Sequence, residues 1–155
     1  MDITDFPTNW LPYHEDDRII PVGWLSSEQE FPRGKVTHEF VAALFRLLLD
    51  PWQPVIAMGV HACPFCQFSG GPSTFHLIES NESVSMGRDN LYVPADGCVF
   101  VTPSLVIHYI DAHQYCPPQE FQQAVLNCPP MRSMEYLKAL RANAPESLTR
   151  IRRPT

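Results

Sequence analysis

The sequence predicts an α+β protein, with a small antiparallel sheet and about four helices packed on it. Three observations support this fold class. One segment carries apolar residues at helical spacing, a hairpin turn separates two short apolar runs, and sixteen prolines keep the remaining elements short. The chain has 155 residues, enough for one domain with a real core, and we expect that domain to span 1–155.

The N-terminal third is predicted to contain an irregular arm, a short strand and an amphipathic helix. Residues 1–16 are polar and acidic, and residues 145–155 are basic, so we expect a solvated arm and a solvated tail. The apolar segment 18–25 is broken by a proline and a glycine, which is typical of a short strand or an extended segment. A helix is expected between Thr37 and Pro51, because one apolar stripe runs through Val36, Phe40, Val41, Leu44, Phe45, Leu48 and Leu49.

The middle of the chain is predicted to supply the remaining strands. The apolar runs 55–58 and 75–78 are short and bounded by turn residues, so we expect each to be a strand. Asp96-Gly97 lies between two further apolar runs, a strong signal for a β-hairpin.

Three helices are predicted after the hairpin. Thr102 is a suitable N-cap and Pro103 suits the first helical position, so we expect a helix over 103–116. Two more are expected over 119–126 and 133–142, where proline pairs precede or follow apolar residues at helical spacing.

Composition excludes several classes of function. The net charge of -6 disfavours a nucleic-acid partner, which would require a basic face. No run approaches the roughly 18 apolar residues of a membrane span, so we expect no membrane partner. The acidic start lacks the pattern of a signal peptide, and we therefore expect a cytoplasmic protein. Five cysteines in a reducing compartment favour metal or redox chemistry over a disulfide framework.

A Cys-x2-Cys motif is the most informative feature of the chain. Cys63 and Cys66 are separated by Pro64-Phe65, and His108 and His113 follow on the predicted helix at 103–116. Two thiolates and two imidazoles are a ligand set that tetrahedral Zn²⁺ takes up. The sequence therefore predicts one zinc site.

The spacing of the two histidines constrains this site. They are five residues apart, which places them about 140° apart around an ideal helix. Both reach one ion only if the helix tightens or ends near His113, and the proline pair at 117–118 favours an early end.

Other ligands compete for the same site. Cys116 lies three residues after His113, on the same helical face, and can replace His108. His61, two residues before Cys63, is a further donor. Ligand spacing alone leaves these alternatives open.

Thiol redox is one rival to the zinc hypothesis. Cys63-Pro64-Phe65-Cys66 looks like the active site of thioredoxins and glutaredoxins, and Val93-Pro94 mimics the Val-Pro that faces it. A low-pKa thiolate of that kind needs a helix N-terminus. The glycines and proline in 67–72 cannot sustain such a helix, and this disfavours a thiol redox protein.

Catalytic zinc is the second rival. A zinc-dependent hydrolase needs an open coordination position and a nearby base. His61-Ala62-Cys63 stands where zinc deaminases have His-x-Glu, and His38-Glu39 is not followed by a histidine at position 42. Asp111 is explained equally well as an exposed or ligand-supporting residue. We therefore expect no catalytic residues and favour a binding module over an enzyme.

The chain also resembles an uncharacterised family of small bacterial proteins. The resemblance spans roughly residues 20 to 130 and implies a bacterial source, a cytoplasmic location and no assigned activity. It favours Cys63, Cys66, His108 and His113 as the ligand set, because these residues fall inside the matching motifs. The motifs are Val22-Gly23-Trp24-Leu25, Phe31-Pro32-x-Gly34, His61-x-Cys63-x2-Cys66, Leu91-x-Val93-Pro94 and His108-Tyr109-Ile110-x2-His113-x-Tyr115-x-Pro117-Pro118.

The sequence is thus best interpreted as a small bacterial zinc-binding protein of unknown cellular role. In this interpretation a structural zinc ties the turn at 63–66 to the helix at 103–116, in a binding or interaction module whose protein partner the sequence does not identify. A zinc-dependent hydrolase and a thiol redox protein are the alternatives.

Overall fold

The computed structural model describes five parts of the chain, namely residues 18–53, 62–66, 71–77, 80–145 and 148. Within them the fold is α+β, as the sequence predicts. The elements are β1 (Ile19–Pro21), α1 (His38–Leu48), β2 (Thr74–His76), β3 (Ser83–Ser85), β4 (Asn90–Ala95), β5 (Cys98–Pro103), α2 (Val106–His113), α3 (Gln119–Asn127) and α4 (Met134–Asn143). The predicted strand at 55–58, the N-terminal arm and most of the basic tail lie outside the described residues.

The larger sheet has three strands in the order β1-β5-β4. β4 and β5 form the predicted hairpin, in which Ala95 pairs with Cys98 across a turn whose Gly97 has φ 77°. β1 adds to the other edge of β5 in parallel, so this sheet is mixed rather than wholly antiparallel. The long connection between β1 and β5 removes the constraint on direction that a tight turn imposes. β2 and β3 form a separate antiparallel pair.

Hydrophobic residues cover both faces of the β4–β5 hairpin, because its side chains alternate between them. Leu91, Val93 and Phe100 belong to the core that contains α1, α2 and α3. Tyr92, together with Val99 and Val101, belongs to a second cluster, completed by α4. The Tyr136 hydroxyl of α4 donates a hydrogen bond of 2.6 Å to the Tyr92 carbonyl oxygen, which fixes α4 on this face.

Serine and threonine caps define two of the helices. Thr37 Oγ1 accepts a hydrogen bond of 3.1 Å from the Phe40 N–H at the start of α1, which confirms the predicted start of this helix. Ser133 Oγ does the same for Tyr136 N–H at the start of α4. Each cap satisfies a backbone N–H that has no partner within the helix.

The predicted start of α2 at Thr102-Pro103 is wrong. Hairpin pairing continues to Asn90↔Pro103, so both residues belong to β5, and α2 begins at Val106. Thr102 lies fully buried in the strand opposite Leu91. The cross-strand register therefore outweighs the local preference of Thr-Pro for a helix start.

Candidate metal centre

Four side chains converge between the turn at 63–66 and the end of α2. One sulfur or nitrogen atom from each of Cys63, Cys66, His108 and His113 lies within 4.8 Å of all the others. Cys63 Sγ lies 3.5 Å from His113 Nε2, and Cys66 Sγ lies 3.3 Å from His108 Nε2 and 3.6 Å from His113 Nε2. A tetrahedral Zn²⁺ with bonds of about 2.3 Å to sulfur and about 2.0 Å to nitrogen places such atoms about 3.5 Å apart. The donor set thus fits one ion of this size.

The turn at 63–66 directs both sulfurs to the same side. The Cys66 N–H donates a hydrogen bond of 3.4 Å to the Cys63 carbonyl oxygen and closes the turn. Burial raises the pKa of the Cys63 thiol, and the neighbouring Cys66 adds to this, while hydrogen bonds from the Phe65 and Cys66 backbone lower it. A bound cation would supply the positive charge that holds both sulfurs as thiolates.

The end of α2 resolves the five-residue spacing of the two histidines. α2 ends at His113, and Gln114 takes a left-handed conformation with φ 59° while its N–H bonds the Tyr109 carbonyl oxygen. The His108 and His113 rings lie 5.1 Å apart between centroids and stand nearly perpendicular. The helix therefore ends where it must if both histidines are to bind one ion.

Both histidines are held in the form that binds metal. Burial lowers the pKa of His108, and the nearby His113 charge lowers it further, with Asp111 opposing. Burial also lowers the pKa of His113, together with the charge of Arg33. A neutral imidazole has a free nitrogen lone pair, so both rings are ready to coordinate a cation near neutral pH.

An aromatic layer packs on the outer side of the turn. The Phe65 ring lies 5.2 Å from the His113 ring, 6.0 Å from Tyr109 and 5.2 Å from Phe31. The Arg33 guanidinium lies 4.5 Å above the Phe31 ring, where it makes a cation–π contact. These contacts hold the turn against α2 independently of any ion.

A short backbone pairing fixes the segment that leaves α2. The Cys116 N–H donates to the Pro32 carbonyl oxygen at 3.0 Å, and the Gly34 N–H donates to the Gln114 carbonyl oxygen at 3.0 Å. Cys116 Sγ instead lies 3.8 Å from Gln122 Nε2 and 3.8 Å from the Pro117 carbonyl oxygen. Among the described residues Cys116 is therefore not part of the cluster.

Gly71 closes the inner side of the cluster by a close approach of its backbone. Its φ is 93°, and a Cβ built on it would lie 2.9 Å from Cys63 Cβ and 3.5 Å from His108 Nε2. A Cβ here would press on Cys63 and would come into ordinary van der Waals contact with the His108 ring. Sequence reasoning used the Gly70-Gly71 pair only as a helix breaker, although a glycine pair after Cys-x2-Cys also signals such an approach.

Two further candidates from the sequence contribute no donor among the described residues. His61 lies outside the described residues. Asp111 is exposed, and no carboxylate joins the cluster within the described ranges. Within the described ranges the cluster thus offers four protein donors, as many as a tetrahedral ion takes.

Comparison with known proteins gives one match. Residues 1–126 match the sequence model of a family described as Domain of unknown function (DUF7919), and this range includes all four cluster residues. No curated protein and no solved structure matches the chain. Across the described part of the chain, none of the helices has the length and apolar character needed to cross a membrane.

Proposed function

The chain belongs to the DUF7919 family, a domain of unknown function, and we propose that it is a zinc-binding protein with one structural site. Cys63, Cys66, His108 and His113 are the proposed ligands. The observation that carries the proposal is their convergence, since one donor atom from each lies within 4.8 Å of the others. The match confirms the expectation that the chain belongs to a family without an assigned function. The bacterial source remains a prediction.

The choice of zinc over other metals follows from the donors. Two thiolates exclude the hard cations Mg²⁺ and Ca²⁺, which prefer oxygen ligands. Sulfur and imidazole donors with tetrahedral spacing suit Zn²⁺, which has no geometric preference of its own. When bound, the ion supplies a positive charge and four bonds that link the turn at 63–66 to α2.

A structural role is supported by how few buried side chains the turn contributes to the fold beside the aromatic contacts of Phe65. The residues 62–66 contribute one buried side chain, Cys63, while Phe65 and Cys66 are half-buried. Four metal bonds would add several kcal/mol to this contact, because metal binding energy becomes folding energy. The site thus stabilises a loop-rich region, in a module for which we propose a protein partner.

Metal content tests the proposal. Protein purified without added metal should carry about one zinc per chain in native mass spectrometry and elemental analysis, because structural sites bind tightly near neutral pH. A Cys63→Ser/Cys66→Ser variant is expected to carry none. A folded wild-type protein without metal, which also fails to bind added Zn²⁺, would contradict the proposed function.

A further inference from the structure

We propose that this site is also a redox switch, in which a peroxide oxidises Cys63 and Cys66 to a disulfide and thereby releases the zinc. The inference rests on the proposed zinc site, and it adds a way in which zinc binding at that site is regulated. Three features of the described residues carry it: the geometry of the cysteine pair, the unequal exposure of the two cysteines, and the surroundings of the other thiols.

The cysteine pair has the geometry that a disulfide requires. The hydrogen bond from Cys66 N–H to the Cys63 carbonyl closes a four-residue turn, and such turns keep the first and fourth Cα atoms within about 7 Å. Disulfides form at Cα separations of about 4.4–6.8 Å. The two Sγ atoms already lie within 4.8 Å of each other, so a bond needs side-chain rotation and little backbone movement.

The two cysteines differ in exposure, and this difference suggests the order of reaction. Cys63 is 3% exposed and lies against the Gly71 backbone, whereas Cys66 is half-buried. A small oxidant therefore reaches Cys66 first. Cys63 then attacks the oxidised Cys66 sulfur and completes the disulfide, which is the role of a resolving thiol.

The reaction balances with hydrogen peroxide as the only oxidant. The Cys66 thiolate attacks one peroxide oxygen, so that an S–O bond forms, the O–O bond breaks and hydroxide leaves. The Cys63 thiolate then attacks the Cys66 sulfur, forming the S–S bond and releasing a second hydroxide. The two sulfurs lose two electrons and peroxide gains them. Both thiolate ligands disappear together, and the two imidazoles that remain cannot hold the ion tightly.

The other described cysteines are poorly placed to compete. Burial raises the pKa of Cys128 to about 12. Burial and the Asp96 charge raise the pKa of Cys98. Both thiols are therefore protonated near neutral pH, and a protonated thiol is a weak nucleophile. Cys116 is half-buried as Cys66 is, but its sulfur lies beside Gln122 Nε2 and outside the cluster in which Cys63 and Cys66 are neighbours. The response is thus expected to be confined to the pair at 63 and 66.

The experiment is a peroxide titration of the zinc-loaded full chain. Zinc content is measured before oxidant is added, and released zinc is then followed with a chromogenic chelator. We expect loss of about one zinc per chain, and a mass decrease of about 2 Da, since disulfide formation removes two hydrogens. Peptide mapping should locate the bond at Cys63–Cys66, and a dithiol reductant with added Zn²⁺ should restore the zinc.

A Cys98→Ser/Cys116→Ser/Cys128→Ser variant serves as the matched control, because it retains only the proposed pair. It should release zinc over the same range of peroxide as wild type. Mapping of the wild-type disulfide gives the same information if this variant fails to fold. Zinc that stays bound while the other thiols are oxidised, or a disulfide to any other cysteine, would overturn the switch and leave the zinc site intact. Absence of zinc before oxidation would instead overturn the proposed function.

Discussion

Cys63 Sγ lies 3.5 Å from His113 Nε2, although 50 residues separate the two along the chain. This contact joins the turn at 63–66 to the last residue of α2. A second contact, between Cys66 Sγ and His108 Nε2 at 3.3 Å, joins the same turn to the same helix. Such distances suit two ligands of one metal ion. The stability of this region should therefore depend on the ion.

Removal of zinc by a chelator should loosen the turn at 62–66 and the end of α2. We expect a fall in Tm of roughly 10 °C, since a chain of this size changes by about 2–4 °C per kcal/mol and zinc coordination contributes several kcal/mol. Hydrogen exchange locates the change. Protection should fall in α2 and stay constant in α4, which packs on the opposite face of the hairpin. Equal loss of protection in both helices would contradict a local role for the ion.

Single substitutions should separate ligands from neighbours. Cys66→Ser and His108→Ala should each weaken zinc binding by about 100-fold or more, because a three-ligand site remains. Cys116→Ser should leave affinity within about twofold, since its sulfur faces Gln122. Competition with a chelator of known affinity measures these values. A severe effect of Cys116→Ser with a mild effect of His108→Ala would refute the ligand assignment.

Gly71→Ala should weaken zinc binding although Gly71 donates no ligand. A Cβ at this position would lie 2.9 Å from Cys63 Cβ, so Cys63 must shift. Gly97→Ala is a matched control, because Gly97 also has positive φ but nothing lies within 4 Å of its built Cβ. Both variants should lose about 1 kcal/mol of stability from backbone strain. Only Gly71→Ala should also lose zinc affinity. Equal zinc affinity in the two variants would contradict a role for Gly71 in shaping the metal site.

Zinc affinity should fall as the pH is lowered. The pKa values of His108 and His113 are below their ordinary value of 6.5, so the folded state favours the neutral rings. A lowered pKa contributes stability that is complete above pH 6.5 and is lost as the pH falls through the folded pKa. Protons and zinc compete for the same nitrogens, so zinc should dissociate in that acidic range. Unchanged affinity at acidic pH would argue against imidazole ligands.

Local patterns in the sequence predicted much of this arrangement. The apolar stripe and Thr37 located α1, and Asp96-Gly97 located the hairpin. Cys-x2-Cys indicated two of the four donors, the family resemblance favoured His108 and His113 as the others, and the structure brings all four together. The helix and hairpin signals each lie within a few residues of the feature they determine.

Features set by distant contacts could not be predicted in the same way. The parallel pairing of β1 with β5 depends on residues 80 positions apart, such as Ile19 and Val99. Thr102 carries a local helix-start signal that the hairpin register overrides. β3 contains one apolar residue, Val84, between two serines, which is too short a pattern to identify a strand. The glycine pair at 70–71 allows a close backbone approach, but only the folded chain shows that Gly71 approaches Cys63.

X-ray absorption at the zinc edge of the purified protein tests the central claim most directly, because it reports the number and type of ligand atoms. The expected spectrum contains two sulfur atoms at about 2.3 Å and two nitrogen atoms at about 2.0 Å, and no bound water oxygen. Loss of one nitrogen in His113→Ala, with both sulfurs retained, would assign the ring. A spectrum with fewer than two sulfurs, or with a water oxygen in the wild-type site, would contradict a closed site formed by Cys63, Cys66, His108 and His113.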